Sequence, residues 1–211
     1  MTENKQNFQK ILDKTLEDIA GTKPKLLLHS CCGPCSSYVL EYLSQYFKIS
    51  VLYFNPCIYP EDEYQKRVST QKQTIAGLKC DIELVVCDYD HDSFLEYIKG
   101  HENAVEGSSR CTLCYRQRLE KCADFAGENG FDYFCTTLSV SPYKNAQKLN
   151  DIGKALAENH KAKYLFSDFK KKNGYKRSIE LSKELDLYRQ EYCGCEFSLR
   201  DSKNQTENNL P

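Results

Sequence analysis

An α/β fold, with a largely parallel sheet covered by helices, is predicted by three observations. Short apolar runs of strand length alternate along the chain with longer stretches of helical periodicity. Breaks between them are marked by Gly, Pro and Asn, as at Gly33 and Pro34 and again at Asn55 and Pro56. No internal repeat interrupts the alternation, and low complexity is confined to residues 201–211. Ligands of such a fold are expected beyond the carboxyl ends of the strands.

Residues 1–24 are expected to be a helical lead-in and residues 25–200 a single catalytic domain. The run Lys-Leu-Leu-Leu-His-Ser at 25–30 is too short for a helix and stops at Gly33 and Pro34, so it reads as a strand. Pro34 suits a first helical position, and Val39, Leu40, Leu43 and Phe47 continue at helical spacing. Residues 49–54 form the next strand and 61–78 a polar helix, followed by a strand at 82–86. Helices at 91–99 and 112–126, a strand at 132–137 and a helix at 144–158 complete the alternation. The last third holds an apolar run at 164–166, a basic loop, a helix at 177–188 and a Cys-Gly-Cys segment. Residues 201–211 lack apolar periodicity and read as a disordered tail.

With 211 residues and 40% apolar content the chain can bury a real core. No apolar run reaches the roughly 18 to 20 residues that span a bilayer, and residues 1–10 are polar, so a soluble cytoplasmic protein without membrane contact is expected. A net charge of −1 excludes a global positive field, leaving polyanion binding to local basic patches.

Twelve cysteines are the informative excess, because a reducing cytosol keeps catalytic and metal-binding thiols but not disulfides. Seven fall in three groups: Cys31, Cys32 and Cys35; Cys111 and Cys114; Cys193 and Cys195. The singletons Cys57, Cys80, Cys87, Cys122 and Cys135 read as small buried hydrophobes. In the first group the Cys35 thiol falls in the first turn of a helix, where the dipole favours thiolate. Cys32-Gly-Pro-Cys35 taken alone fits a thioredoxin-like dithiol as well as metal ligation, and Cys31 with the remote groups tips the balance to metal. Cys111 and Cys114 open a helix and share a face with Tyr115 and Arg118, whereas Leu119, Cys122, Ala123 and Ala126 make its core stripe. Arg110, Arg116 and Arg118 offset thiolate charge or form a solvated basic face. Gly194 lets the backbone bend around an ion shared by Cys193 and Cys195. Four thiols hold one 4Fe-4S cluster, so seven imply a second metal or thiols used in chemistry. Zinc is the competing metal, but widely separated groups suit a site assembled across the fold better than a compact zinc module.

His29 ends the first strand and reads as an orienting donor, a proton source or a structural histidine, while His91, His101 and His160 read as surface or helix-end residues. Lys170, Lys171, Lys172, Lys176 and Arg177 flank Tyr175, an arrangement that suits phosphate contact with base stacking, or a solvated charge run.

Five segments, His29-Ser-Cys-Cys-Gly-Pro-Cys35, Arg110-Cys-Thr-Leu-Cys-Tyr-Arg116, Ser139-Val-Ser-Pro-Tyr-Lys-Asn145, Gly174-Tyr-Lys-Arg-Ser178 and Tyr188-Arg-Gln-Glu-Tyr-Cys-Gly-Cys195, resemble the signatures of the QueH-type epoxyqueuosine reductases. The likeness runs from about Lys25 to Asp201. It implies a Rossmann-like fold with helices on both faces, related to the adenine nucleotide alpha-hydrolase class. It also implies a 4Fe-4S cluster with an adjacent mononuclear iron, and reduction of epoxyqueuosine at the tRNA wobble position to queuosine without cobalamin. An electron donor of unidentified nature is then required. Cys31, Cys32, Cys111, Cys114, Cys193 and Cys195 match the pattern directly; at the position of Cys35 other members can carry Asp, so a thiolate ligand is not obligatory there. His29, Tyr115, Lys144 and Tyr192 are the candidate proton donors for such a reduction. Lys170 to Lys172, Tyr175, Lys176 and Arg177 are the candidate tRNA contacts, with the reacting base splayed out of the anticodon loop.

Overall fold

The computed structural model describes residues 6–200. Five parallel strands, β1 (Lys25–His29), β2 (Lys48–Tyr53), β3 (Glu83–Val86), β4 (Tyr133–Thr136) and β5 (Lys163–Tyr164), lie in the order β3-β2-β1-β4-β5. The sheet is flanked by α1 (Phe8–Asp18), α2 (Gly33–Leu43), α3 (Glu61–Leu78), α4 (His91–Tyr97), α5 (Ser109–Glu128), α6 (Ala146–Ala157) and α7 (Gly174–Glu184), with a 3-10 turn at Thr137–Val140 and a further helical stretch at 196–200.

Both faces of the sheet are covered. Side chains alternate across a strand, so Leu26 and Leu28 of β1 pack with Leu12 and Leu16 of α1 and Val39, Leu40 and Leu43 of α2. Leu27, between them, packs on the other face with Leu119, Cys122, Ala123 and Ala126 of α5 and Leu149 and Leu156 of α6. A third cluster joins Tyr64 and Val68 of α3, Phe94 and Ile98, and Cys57, Cys195 and Phe197, seating the C-terminal segment beside the end of β2. Helices α2 and α3 approach closely at Gly33, where an added Cβ would lie 2.5 Å from Thr74 Oγ1 and 2.8 Å from the Thr70 carbonyl oxygen.

Local chemistry moves several predicted boundaries. The helix expected at 112–126 begins at Ser109 and so contains Arg110 and Cys111. That expected from residue 144 begins at Ala146, because the Asn145 side chain caps it by accepting from the Lys148 amide at 3.0 Å. The apolar run at 164–166 contributes only the two-residue strand β5. Half of the predicted basic loop is helical: Tyr175, Lys176 and Arg177 lie in the first turn of α7, which ends at Glu184 instead of residue 188, with Asp186 at φ 49° beyond it. The predicted tail at 201–211 lies outside the described residues. Among those described, no helix is long and apolar enough to cross a membrane.

Candidate metal centre

In a doubly wound sheet the strand connections diverge at a switch point, opening a crevice at the carboxyl ends; here it lies between β1 and β4. Cys31 and Cys32 follow β1 directly, and Thr137 follows β4. Cys31 Sγ lies 3.6 Å from Thr137 Oγ1, across the crevice. Beneath them His29 ties three strand ends together, with Nδ1 2.9 Å from Thr136 Oγ1 and Nε2 3.1 Å from the Phe54 carbonyl. A carbonyl only accepts, so Nε2 carries the proton and Nδ1 accepts from the Thr136 hydroxyl. Burial, aided by the Arg118 charge, pulls the imidazole down to about 4, so it is neutral at physiological pH.

The sulfurs of Cys31, Cys32 and Cys35 lie within 4.8 Å of one another. Cys32 caps α2 and Cys35 sits in its first turn. Hydrogen bonds from the Cys31 and Cys35 thiols, with the Arg67 charge, draw the Cys32 thiol well below its ordinary range. Bonds to Cys31 and Cys32, with burial, push the Cys35 thiol well up. Gln190 Nε2 donates to Cys32 Sγ at 3.2 Å.

Helix α5 aims the second group. Cys111 accepts from the Gly107 amide at 3.2 Å, and Arg118, one turn beyond Cys114, donates from Nη2 to Cys114 Sγ at 3.2 Å. The Arg118 side chain is buried and feels the charges of Cys114, Cys57, Cys193 and Cys31, thus spanning all three thiol groups. Arg110, also buried, donates instead to the Glu102 and Ala104 carbonyls and lies over Phe197, while Arg116 faces solvent. Cys122 lies fully in the core, as its register predicts.

Cys193 and Cys195 are held by groups distant in sequence. Arg67 of α3 pairs with Glu63 at 2.6 Å and donates to the Cys193 carbonyl at 3.1 Å and the Tyr192 carbonyl at 3.4 Å. Gly194 has φ 133°, and an added Cβ would sit 2.9 Å from Arg67 Nη1, so glycine is required twice over. Lys144 Nζ lies 2.8 Å from Cys193 Sγ and 3.7 Å from Glu106. Burial opposes the ammonium charge, but Cys193, Tyr115 and Glu106 outweigh it and hold Lys144 well above its ordinary value. Cys195 is buried against Cys57 and Cys114, and burial pushes its thiol up to about 12. Tyr115 and Tyr192 are both pushed up to about 12, chiefly by burial, and stay protonated.

A cavity of about 430 Å³ opens over this arrangement, with Cys31, Cys35, Cys193, Arg118 and Lys144 in its walls. Cys32 Sγ lies 3.8 Å from Cys31 Sγ, and Cys114 accepts from the wall residue Arg118, whereas Cys111 and Cys195 do not line the cavity. Sulfur donors in this number suit a soft metal, and the N–H groups directed at Cys32, Cys111, Cys114 and Cys193 are the outer partners that thiolate ligands need.

Of the basic set, only Tyr175 reaches the cavity wall. Lys170 pairs with Asp168, Lys172 with Asp13, and Arg177 with Glu41 and Glu184, whereas Lys176 is 77% exposed with Glu180 at 4.0 Å and Lys171 projects into solvent. His91 opens α4 and links the Pro56 carbonyl to Glu196; His160 bonds to Asp124 and His101 to Ser109. Arg67, Gln190 and Glu106 were not singled out in the sequence, and Cys57, read there as a small buried hydrophobe, is buried. Cys57 carried a signal: it follows the Asn55-Pro56 break beyond β2, where the fold places ligands, and it shares a hydrogen bond with Cys114.

The family profile described as "Epoxyqueuosine reductase QueH" matches residues 26–201. Among curated relatives, the epoxyqueuosine reductase QueH of Streptococcus pyogenes serotype M1 is 39% identical over 202 residues, covering 93% of this chain and 79% of the relative. That of Staphylococcus epidermidis is 40% identical over 206 residues, covering 94% and 87%. Among solved structures, the U34-tRNA thiolase NcsA from Methanococcus maripaludis with its 4Fe-4S cluster aligns with a TM-score of 0.50 at 15% identity, covering 97% of this chain and 73% of that one. This likeness shows a shared fold.

Proposed function

The chain belongs to the epoxyqueuosine reductase QueH family of oxidoreductases, and from that premise we propose that it reduces the epoxide of epoxyqueuosine at the tRNA wobble position to queuosine, in the cytoplasm, on an iron-sulfur centre and without cobalamin. The observation that carries the reading is the placement of Cys31, Cys35 and Cys193, from distant parts of the chain, in the walls of one cavity at the switch point, with the wall residue Arg118 donating to Cys114 of the remaining thiol group.

Removal of the epoxide oxygen takes two electrons and two protons, releases water and leaves an alkene. A 4Fe-4S cluster with an adjacent mononuclear iron supplies, when bound, one-electron steps and a Lewis-acidic position for the oxygen. Cys31, Cys32, Cys111, Cys114, Cys193 and Cys195 hold these metals, and Cys35 is a further thiol in the first sulfur triangle. Arg118 and Arg67 offset the accumulated thiolate charge. Lys144, at the cavity wall, delivers a proton to the departing oxygen; Tyr115 behind it and Tyr192 beside it are the protonated groups from which it is resupplied. Neutral His29 positions the Cys31 end of the site. An external donor, unidentified, restores the electrons.

Transfer RNA approaches across the α7 face, where Lys170, Lys171, Lys172, Lys176 and Arg177 meet phosphates and Tyr175 adjoins the entering base. The test is anaerobic incubation of reduced, metal-replete protein with tRNA carrying epoxyqueuosine, followed by digestion and nucleoside analysis. Queuosine is expected without added cobalamin. Unchanged epoxyqueuosine, with metal content verified, rejects the function.

A further inference from the structure

Among the described residues, Tyr143 is 83% exposed and Val105 77%, far above the other large exposed hydrophobics, Tyr59 at 42% and Val86 at 39%. Both lie at one cavity mouth. Tyr143 is part of the cavity lining, and Val105 precedes Glu106, which also lines it. The Glu106–Lys144 ion pair at 3.7 Å and the Lys148 contact to the Gly107 carbonyl at 3.0 Å join the two segments. Exposed apolar surface concentrated on a polar rim marks a place where something docks.

The cavity itself limits what that is. At about 430 Å³ it falls in the roughly 300–1,000 Å³ range of small-molecule sites. An RNA loop cannot enter, so the reacting nucleotide must leave its stack, at a cost that an aromatic platform offsets. Tyr143 and Lys144 are consecutive residues facing opposite ways: the ring stands in solvent, while the Lys144 side chain is 11% exposed and touches Cys193. The Tyr143 amide donates to Ser141 Oγ at 3.3 Å, which anchors the backbone that carries the exposed ring. Arg189, also in the cavity wall, is exposed and donates to Ser182 Oγ at 3.1 Å, with no carboxylate in ion-pair range among the described residues, unlike Lys170, Lys172 and Arg177.

Taking the function proposed above as given, we propose that Tyr143 is the stacking platform for the extruded wobble base and that Arg189, in the wall of the same cavity, takes its phosphate. A base stacked on this ring carries its epoxide substituent inward past Lys144 towards Cys193.

The chain contains no Trp, so Tyr143→Trp introduces a single fluorescent reporter at the platform. Metal-loaded Tyr143→Trp protein is titrated anaerobically with epoxyqueuosine tRNA, and turnover is measured for wild type, Tyr143→Ala, Tyr143→Phe and Arg189→Gln. Saturable quenching is expected, with KM raised about 5- to 150-fold in Tyr143→Ala, the range a lost base–aromatic stack gives, and near the wild-type value in Tyr143→Phe. Arg189→Gln is expected to reduce the slope of log affinity against log salt by about 0.7. Unquenched emission, or an unchanged KM in Tyr143→Ala, overturns the platform while wild-type turnover stands. A wild type that is metal-replete yet neither binds nor converts the tRNA overturns the proposed function, and the platform with it.

Discussion

His29 illustrates how a single buried side chain in this protein is fixed by its partners. Fully buried, it exchanges hydrogen bonds with Thr136 and Phe54 and has a value near 4 in place of the ordinary 6.5. As pH falls from 6.5 to 4 the unfolded chain takes up a proton there that the folded chain refuses, so stability declines across that window, by about 3 kcal/mol at its acid end. In His29→Gln the amide can serve both partners without titrating. With both proteins stripped of metal by the same chelation, the wild type is expected to lose more urea resistance than the variant between pH 6.5 and 4; parallel pH profiles contradict the assignment. At this scale the cysteine spacings and the helical register of Cys111, Cys114, Tyr115 and Arg118 were legible in the sequence, because a helix face is a local property. Arg67 and Gln190 were not, since their contacts to Cys193 and Cys32 cross more than a hundred residues of chain, and no local period reports them.

Helix α5 does two jobs with one sequence. Its first turns carry Cys111, Cys114, Tyr115 and Arg118, of which Arg118 lines the cavity and donates to Cys114, while Cys111 and Tyr115 join Leu119, Cys122, Ala123 and Ala126 in one buried cluster. Two substitutions separate these roles. Cys111→Ala should lower iron content and abolish turnover. Cys122→Ala should retain iron and cost about 0.5–1.5 kcal/mol, as expected for deleting one heavy atom from a packed core. Wild-type iron in Cys111→Ala, measured alongside thermal unfolding of both variants, would count against the division. The alternation of strands and helices was readable element by element, but the helix boundary at 146 was set by the Asn145 cap and that at 174 by the left-handed Asn173, whose effects are confined to one or two residues.

For the molecule as a whole, strand order and not composition decides where the thiols meet. A parallel sheet was predictable from the alternating pattern, yet the order β3-β2-β1-β4-β5, which sets β1 beside β4 and the crevice above them, depends on long-range pairing. That order brings the loop after β1, Arg118 of α5 and the C-terminal segment to a common cavity. A net charge of −1 leaves any polyanion binding to local basic patches, as the tRNA contacts proposed around α7 require. The central claim is that these thiols hold an iron-sulfur centre, and the most direct test is iron, zinc and acid-labile sulfide analysis of protein purified without oxygen. A brown protein with iron and sulfide both in excess of zinc is the predicted result; a colourless protein that carries zinc alone after iron-sulfur reconstitution would contradict it.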